Sequence, residues 1–160
     1  MTREDPMTIA VGDRAPDFAL PDQHGRATSL STYDGPVLIV FFPAAFTPTC
    51  TSELAVLRDE PIPGVTVLAV SCDSVPALRA FADAEGLDFP VLSDFWPHGE
   101  VARAYGAFLP ERGIAGRLSV LVDGRGVVRA VWRSGAAEAR DAVDYGRAVA
   151  ALVEGAGASP

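Results

Sequence analysis

One of the two cysteines, Cys50, lies in a sequence context that favours a reactive thiol. Thr47 precedes it by three residues, and Pro48 directly follows Thr47. Threonine is a favoured N-cap residue, and proline suits the first helical position because an N–H there would have no intrahelical partner. We therefore predict a helix that begins at Pro48 and carries Cys50 as its third residue. A thiol at a helix start, or beside a cation, can have a pKa of roughly 3.5–7.5 instead of about 8.5, and the thiolate is the nucleophile.

The side chains around Cys50 extend this chemistry. The Thr47 hydroxyl can reach back over the first turn, where it would either cap the Cys50 N–H or bind an oxygen that approaches the sulfur. Pro43 closes the preceding loop and offers no competing N–H. Glu53 lies three residues after Cys50 on the same helical face, where it would either anchor an arginine or interact only with the helix dipole.

The elements predicted around this segment place Cys50 at the carboxyl end of a buried strand. Residues 36–42 form a continuous apolar run, which is typical of a strand buried on both faces, and residues 65–72 form a second such run. The helix at 48–59 connects them. The remaining predicted elements are short strands at 15–22 and 27–30, a helix at 75–85, a strand at 90–92, a helix at 99–105, a hairpin of strands at 118–122 and 127–132, and a final helix at 141–153.

This order of elements predicts the fold class. Strands joined by crossover helices are parallel, whereas a hairpin adds an antiparallel edge. We therefore predict an α/β protein with a thioredoxin-like fold, in which a central mixed β-sheet is flanked by helices. Such sheets bind their ligands beyond the carboxyl ends of the strands, where Cys50 would lie. We predict one domain over residues 1–160, with flexible ends at 1–7 and 154–160.

The composition argues against several partners. The chain of 160 residues has a net charge of -8 and a pI of about 4.6, which disfavours nucleic acid and anionic membranes. No apolar run approaches the roughly 18 residues of a membrane span. The polar, charged start is not typical of a signal peptide, and two cysteines do not make a disulfide framework. We expect a protein of the reducing cytoplasm.

The segment from Pro43 to Cys50 resembles the active site of peroxiredoxins, in which a Pro-x-x-x-Thr-x-x-Cys pattern carries the peroxidatic cysteine. Phe41-Phe42 before the pattern and Glu53-Leu54 after it match as well. Further segments resemble the one-cysteine, alkyl hydroperoxide reductase E type of this family: they are 92–99, 102–106 and 113–117. The resemblance covers about residues 8–153.

This resemblance implies a thiol-dependent peroxidase that acts on hydrogen peroxide, organic hydroperoxides or peroxynitrite. The Cys50 thiolate would attack a peroxide oxygen and become a sulfenic acid, while Thr47, Arg117 and the Cys50 N–H hold the two oxygens. Arg117 stands where the family has an arginine before a late strand. It is followed here by Leu118-Ser119-Val120 instead of the usual small residue, Thr or Ser, and aromatic residue.

The resemblance also implies partners. No metal and no organic cofactor is needed. The reductant would be an external thiol, namely a low-molecular-weight thiol, a thioredoxin or a glutaredoxin-like protein. Small dimers of the family form near the active-site loop, which implies a homodimer with Phe46 and Trp96 as candidate contacts. Trp96 would line either this subunit contact or the rim of the substrate pocket.

The same residues are compatible with other interpretations. A thiol–disulfide oxidoreductase is disfavoured because it normally uses Cys-x-x-Cys, which is absent after Cys50. A non-enzymatic binding or holdase role on the same fold is a third class. Cys72 could resolve the sulfenic acid as a disulfide, although we favour an apolar core role for it. A hydrolase pair with His98 lacks an oxyanion motif, and His24 and His98 do not have the spacing of a zinc site with the cysteines.

Overall fold

The computed structural model describes residues 9–134 and 142–158. In chain order the strands are β1 (Ala19–Pro21), β2 (Ala27–Ser29), β3 (Val37–Phe41), β4 (Thr66–Ser71), β5 (Val91–Ser93), β6 (Phe108–Leu109), β7 (Ile114–Ala115), β8 (Arg117–Val122) and β9 (Val128–Ser134). The helices are α1 (Pro48–Asp59), α2 (Val75–Glu85), α3 (Glu100–Tyr105) and α4 (Ala142–Ala158), with a 3-10 turn at Leu30–Thr32.

Five strands form the central sheet in the order β5-β4-β3-β8-β9. β3, β4 and β5 are parallel, because α1 and α2 carry the chain back across the sheet between them. β8 is antiparallel to both β3 and β9. The predicted mixed sheet is therefore confirmed, and its central strand β3 is the one that leads to Cys50.

Side chains alternate along the strands, so the core residues divide into two groups, one on each face of the sheet. On the α1 face, Leu38 and Val40 of β3 pack with α1, α2 and α4. On the α3 face, Ile39 and Phe41 of β3 pack with α3 and with the segment around Phe18 and Leu20. Each fully buried Leu, Ile or Phe contributes about 1.5–3 kcal/mol relative to exposure, so α1 is held firmly against the sheet.

Several predicted boundaries differ from the structure. The hairpin of β6 and β7 was not predicted, because strands of two residues are too short to show an alternating pattern. α4 continues to Ala158, five residues beyond the predicted end at 153. The flexible ends at 1–7 and 154–160 stay a prediction, since 1–7 and 159–160 lie outside the described residues. None of the helices in the described ranges is both long and apolar enough to span a bilayer.

Candidate active site

The cysteine at the centre of the site lies in the first turn of α1, as its local sequence predicts. Thr47 is the N-cap residue in an extended conformation, Pro48 is the first helical residue, and Cys50 is the third. The backbone N–H groups of a first turn have no intrahelical acceptor and point out of the helix start. Cys50 is fully buried, on the α1 face of the sheet.

Arg117 supplies a cation to this sulfur. Its Nη2 atom donates a hydrogen bond to Cys50 Sγ at 3.2 Å. The strand register explains the contact: Leu118 of β8 pairs with Phe41 at the end of β3, so that Arg117 lies beside the point where the chain leaves the sheet for α1. Alternation along β8 then directs Arg117 to the same face as Leu121, which is the α1 face.

Glu53 binds the other terminal nitrogen of the Arg117 guanidinium. Its carboxylate accepts a hydrogen bond from Arg117 Nη1, and both side chains are buried. Glu53 lies three residues after Cys50 in α1, so one helical turn presents both groups to the same arginine. Of the two sequence interpretations of Glu53, the structure shows the arginine contact. Because removal of one partner would leave a buried charge, this pair strongly constrains the position of Arg117.

The Thr47 hydroxyl does not form the cap that was one of its two predicted roles. It donates a hydrogen bond to the Ala44 carbonyl at 2.8 Å instead, and α1 has no side-chain cap. A hydroxyl that donates its proton keeps its oxygen lone pairs free as acceptors. Thr47 is therefore arranged to accept a hydrogen bond at the helix start rather than to give one.

The active-site loop, residues 43–47, joins β3 to α1. Pro43 is buried, whereas Phe46 is 59% exposed and has a φ of 66°, in the left-handed region that disfavours residues with a Cβ. The Phe46 ring packs edge-on against Phe81 of α2, with ring centroids 5.2 Å apart. The Ala45 N–H donates to Asp73 Oδ2 at 2.9 Å. Asp73 was not among the predicted site residues, because a lone aspartate after a strand carries no motif.

Trp96 is not brought into this group of residues. It is 78% exposed and lines a separate cavity of about 160 Å³, together with Phe18, Leu20 and Tyr105 of the α3 face. Among the predicted residues, the structure thus brings together Cys50, Arg117, Glu53, Thr47 and Pro43, with Phe46 on the same loop. The segment after β5 turns Trp96 toward the other side of the sheet.

Cys72, the second cysteine, is free and buried. It follows Leu68 and Val70 in the alternation of β4, and both belong to the α3 face. Burial raises the pKa of Cys72 to about 12, with Asp94 adding to the shift and a hydrogen bond to the Ala115 backbone opposing it. The two cysteines therefore face opposite sides of the sheet, which favours the core role for Cys72.

Backbone carbonyl groups engage the imidazole ring of His98. Both ring nitrogens of His98 contact carbonyl oxygens, those of Phe95 at 3.2 Å and Gly113 at 2.7 Å. The ring is therefore occupied away from Cys50, and the hydrolase pair has no support. No cluster of three or more His, Cys, Asp or Glu side chains in residues 9–134 and 142–158 is placed to hold a metal ion.

The fold and the site together define a class: a thioredoxin-like α/β protein with a cysteine at a helix start and an arginine on its sulfur. Known proteins share this class. The AhpC/TSA family profile matches residues 11–131. Alkyl hydroperoxide reductase E of Mycobacterium tuberculosis is 43% identical over 151 residues, which cover 90% of this chain and 98% of that protein. Peroxiredoxin Bcp of Escherichia coli is 36% identical over 136 residues, covering 78% and 85%.

Solved structures agree. The crystal structure of peroxidoxin BcpB from Mycobacterium tuberculosis matches with a TM-score of 0.75 and 32% identity, covering 90% of this chain and 96% of that one. AhpC of Enterococcus faecalis matches with a TM-score of 0.84 over 92% and 95%, at 24% identity, and supports the fold alone. The predicted thioredoxin-like fold is confirmed. The chain belongs to the AhpC/TSA family, and it is a peroxiredoxin, a thiol-dependent peroxidase.

Proposed function

We propose that Cys50 is the residue that reacts with the peroxide, and that the substrates are hydrogen peroxide, organic hydroperoxides or peroxynitrite. The observation that carries this proposal is the 3.2 Å hydrogen bond from Arg117 Nη2 to Cys50 Sγ. A cation and the positive end of a helix dipole both stabilise a thiolate, and the site around it is buried, where such interactions are weakly screened. The relatives named above as hydroperoxide reductase and peroxiredoxins support the same assignment.

The proposed reaction is an in-line displacement at oxygen. The Cys50 thiolate attacks one oxygen of RO–OH, an S–O bond forms, and the O–O bond breaks. Sulfur loses two electrons and the leaving alkoxide takes them, then binds a proton and departs as ROH. Cys50 is left as sulfenic acid, the first and reversible step of thiol oxidation.

The surrounding groups have distinct roles in this displacement. Arg117 and the first-turn N–H of Cys50 donate hydrogen bonds to the oxygens as negative charge develops on the leaving group. Thr47 accepts the hydrogen bond of the hydroperoxide O–H, which fixes the direction of approach. Glu53 holds the guanidinium, and Pro43 shapes the loop without adding a competing donor.

Recovery of Cys50 is proposed to use an external thiol. One thiol attacks the sulfenic sulfur, releases water and forms a mixed disulfide, and a second thiol displaces the protein thiolate. Cys72 does not replace the first thiol, because it faces the other side of the sheet and burial keeps it protonated, with a pKa of about 12. A low-molecular-weight thiol, a thioredoxin and a glutaredoxin-like protein are the reductants to compare.

Stopped-flow oxidation and intact-mass measurement test the proposal together. Wild type and Cys72→Ser should react rapidly with one equivalent of peroxide and gain one oxygen atom, whereas Cys50→Ser should do neither. Loss of two hydrogens in wild type would instead indicate an intramolecular disulfide. Insulin reduction at rates that match peroxide reduction would favour the thiol–disulfide oxidoreductase class.

We also propose a cytoplasmic homodimer. The resemblance to small dimers of the family supports the homodimer, and Phe46 and Trp96, with 59% and 78% exposure, are accessible to a second copy. Sedimentation of Phe46→Ser and Trp96→Ser should show dissociation, whereas Val11→Ser, at an exposed apolar residue elsewhere, should not. Sedimentation of wild type as a monomer would contradict the dimer. Fractionation of cells tests the location.

A further inference from the structure

Asp73, two residues beyond the end of β4, is bonded directly to the active-site loop. Its Oδ2 atom accepts a hydrogen bond from the Ala45 N–H at 2.9 Å and another from the Ser71 hydroxyl at 2.7 Å. The two donors come from different directions: Ala45 belongs to the loop, and Ser71 is the last residue of β4. The carboxylate therefore connects the loop to the sheet.

The sheet side of this connection is rigid. Ser71 and Ser93 pair in the register of β4 and β5, and both are buried. The Ser93 hydroxyl donates to the Asp73 carbonyl at 2.6 Å, and the Asp94 N–H donates to the Ser71 carbonyl at 2.8 Å. The ends of two neighbouring strands thus fix Asp73 independently of the loop.

The loop side leads to Thr47 through a single peptide group. The Ala45 N–H that Asp73 binds and the Ala44 carbonyl that accepts the Thr47 hydroxyl belong to the same peptide plane. Because a peptide group is planar, a bond that fixes its N–H also fixes the direction of its C=O. The direction of the Thr47 O–H therefore depends on a carboxylate that never touches it.

We propose that Asp73 is a positioning residue for peroxide reduction. By holding the Ala44–Ala45 peptide plane, it keeps the Thr47 hydroxyl hydrogen-bonded to the Ala44 carbonyl. The Thr47 lone pairs then point toward the oxygen that approaches Cys50. The loop needs this support, since Phe46 next to Thr47 is held in the left-handed region at φ 66°. The inference rests on the proposed roles of Cys50 and Thr47.

The test compares two reactions of the same sulfur. Peroxide oxidation needs an oriented Thr47, whereas alkylation by iodoacetamide needs the thiolate and access to it but no hydrogen bond from Thr47. Asp73→Ala should slow oxidation by roughly 10- to 100-fold, the range for a small misplacement of reacting groups. It should change the alkylation rate by less than about twofold. Asp73→Asn retains an oxygen acceptor for Ala45 and should recover most of the oxidation rate.

A double-mutant cycle tests whether the effect passes through Thr47. In a Thr47→Val background, which lacks the hydroxyl but keeps the side-chain shape, Asp73→Ala should cause no further loss of oxidation rate. Ser71→Ala keeps the carboxylate and removes its orienting donor, so it should show the same selective loss to a smaller degree. Ser71→Ala also tests the proposal if Asp73→Ala does not fold. Ser74→Ala is the matched control, because the Ser74 hydroxyl caps α2 through Ala77; it should lower stability and leave both rates unchanged.

Several results would overturn the inference. These are a wild-type oxidation rate in Asp73→Ala and Ser71→Ala, a parallel fall of oxidation and alkylation, or an undiminished effect in the Thr47→Val background. A failure of the proposed function is visible separately. If Cys50→Ser still consumed peroxide, the nucleophile would be wrong, and if Thr47→Val oxidised at the wild-type rate, the role of Thr47 would be wrong and that of Asp73 with it.

Discussion

Replacement of Arg117 by methionine tests the central contact of the site. Methionine is unbranched, uncharged and only slightly smaller than arginine, so Arg117→Met removes the hydrogen bond to Cys50 Sγ with little change in volume. It also removes the contact that Arg117 makes with the buried Glu53 carboxylate. Two effects follow, one on the reaction and one on folding, and they need to be measured separately.

The size of each effect follows from the contacts. A hydrogen bond to a charged group contributes about 1.5–3 kcal/mol. If that contribution is lost from the transition state, the second-order rate constant with peroxide falls roughly 10- to 160-fold. Breaking a buried ion pair destabilises a protein by about 3–5 kcal/mol, which is a large part of a typical stability of 5–15 kcal/mol.

A second substitution separates the two effects. Glu53→Gln removes the buried negative charge that no longer faces a guanidinium, so the double variant with Arg117→Met should regain much of the free energy of unfolding, measured in urea. Its oxidation rate, measured by stopped flow, should stay as low as that of Arg117→Met. Arg117→Lys should be intermediate, because one ammonium group cannot bind Glu53 and the sulfur in the same fork geometry. A wild-type oxidation rate in Arg117→Met, or recovery of the rate with stability in the double variant, would refute the role of Arg117.

Further predictions concern Cys72, Asp94 and Phe46. At pH 7, iodoacetamide should label Cys50 in the folded protein and label Cys72 only in denaturant, because burial raises the pKa of Cys72 to about 12; equal labelling would contradict this. Burial, reinforced by Glu100 and opposed by backbone N–H groups, raises the pKa of Asp94 above 3.8. An acid with a raised folded-state pKa binds more protons folded than unfolded, so stability falls as pH rises from about 4 through that pKa. Thermal unfolding of Asp94→Asn should lack this part of the pH dependence, and identical profiles would refute it. Phe46→Gly should be more stable to urea than Phe46→Ala, because glycine adopts the left-handed φ without strain. The relief of about 1–2 kcal/mol outweighs the usual disadvantage of glycine, about 0.5–1 kcal/mol. The reverse order would show that the loop is unstrained.

The helix start at Cys50 was predictable because its signals are local. Thr47 and Pro48 have position preferences that depend on backbone geometry within one turn, and the structure follows them. The buried strands were predictable for a similar reason. A short, continuous apolar run in a chain of this size has few structures open to it other than a strand buried on both faces. The two-residue strands β6 and β7 carry no such pattern.

The partners of Cys50 were much harder to predict from the sequence. Arg117 and Glu53 are separated by 64 positions, and only the register of β8 on β3 brings them together. Arg117 could be named through a family resemblance, but its hydrogen bond to the Cys50 sulfur depends on the tertiary structure. The choice of the Thr47 hydroxyl between a cap and a carbonyl depends on the Ala44–Ala45 peptide. That peptide depends in turn on Asp73, 28 positions from Ala45.

Burial of Cys50 also separates peroxide reduction from disulfide exchange. Exchange requires a protein disulfide to approach the sulfur along the S–S axis, and Cys50 has no exposed surface. A hydroperoxide presents only two oxygens and needs less room at the sulfur than a protein disulfide does. Cys72 lies on the other face of the sheet and cannot assist, so an external thiol must also reach the buried Cys50 sulfur. Small thiols should therefore reduce the sulfenic acid at a rate that falls with their bulk, whereas oxidation by peroxides should depend mainly on the hydrogen bonds of Thr47 and Arg117.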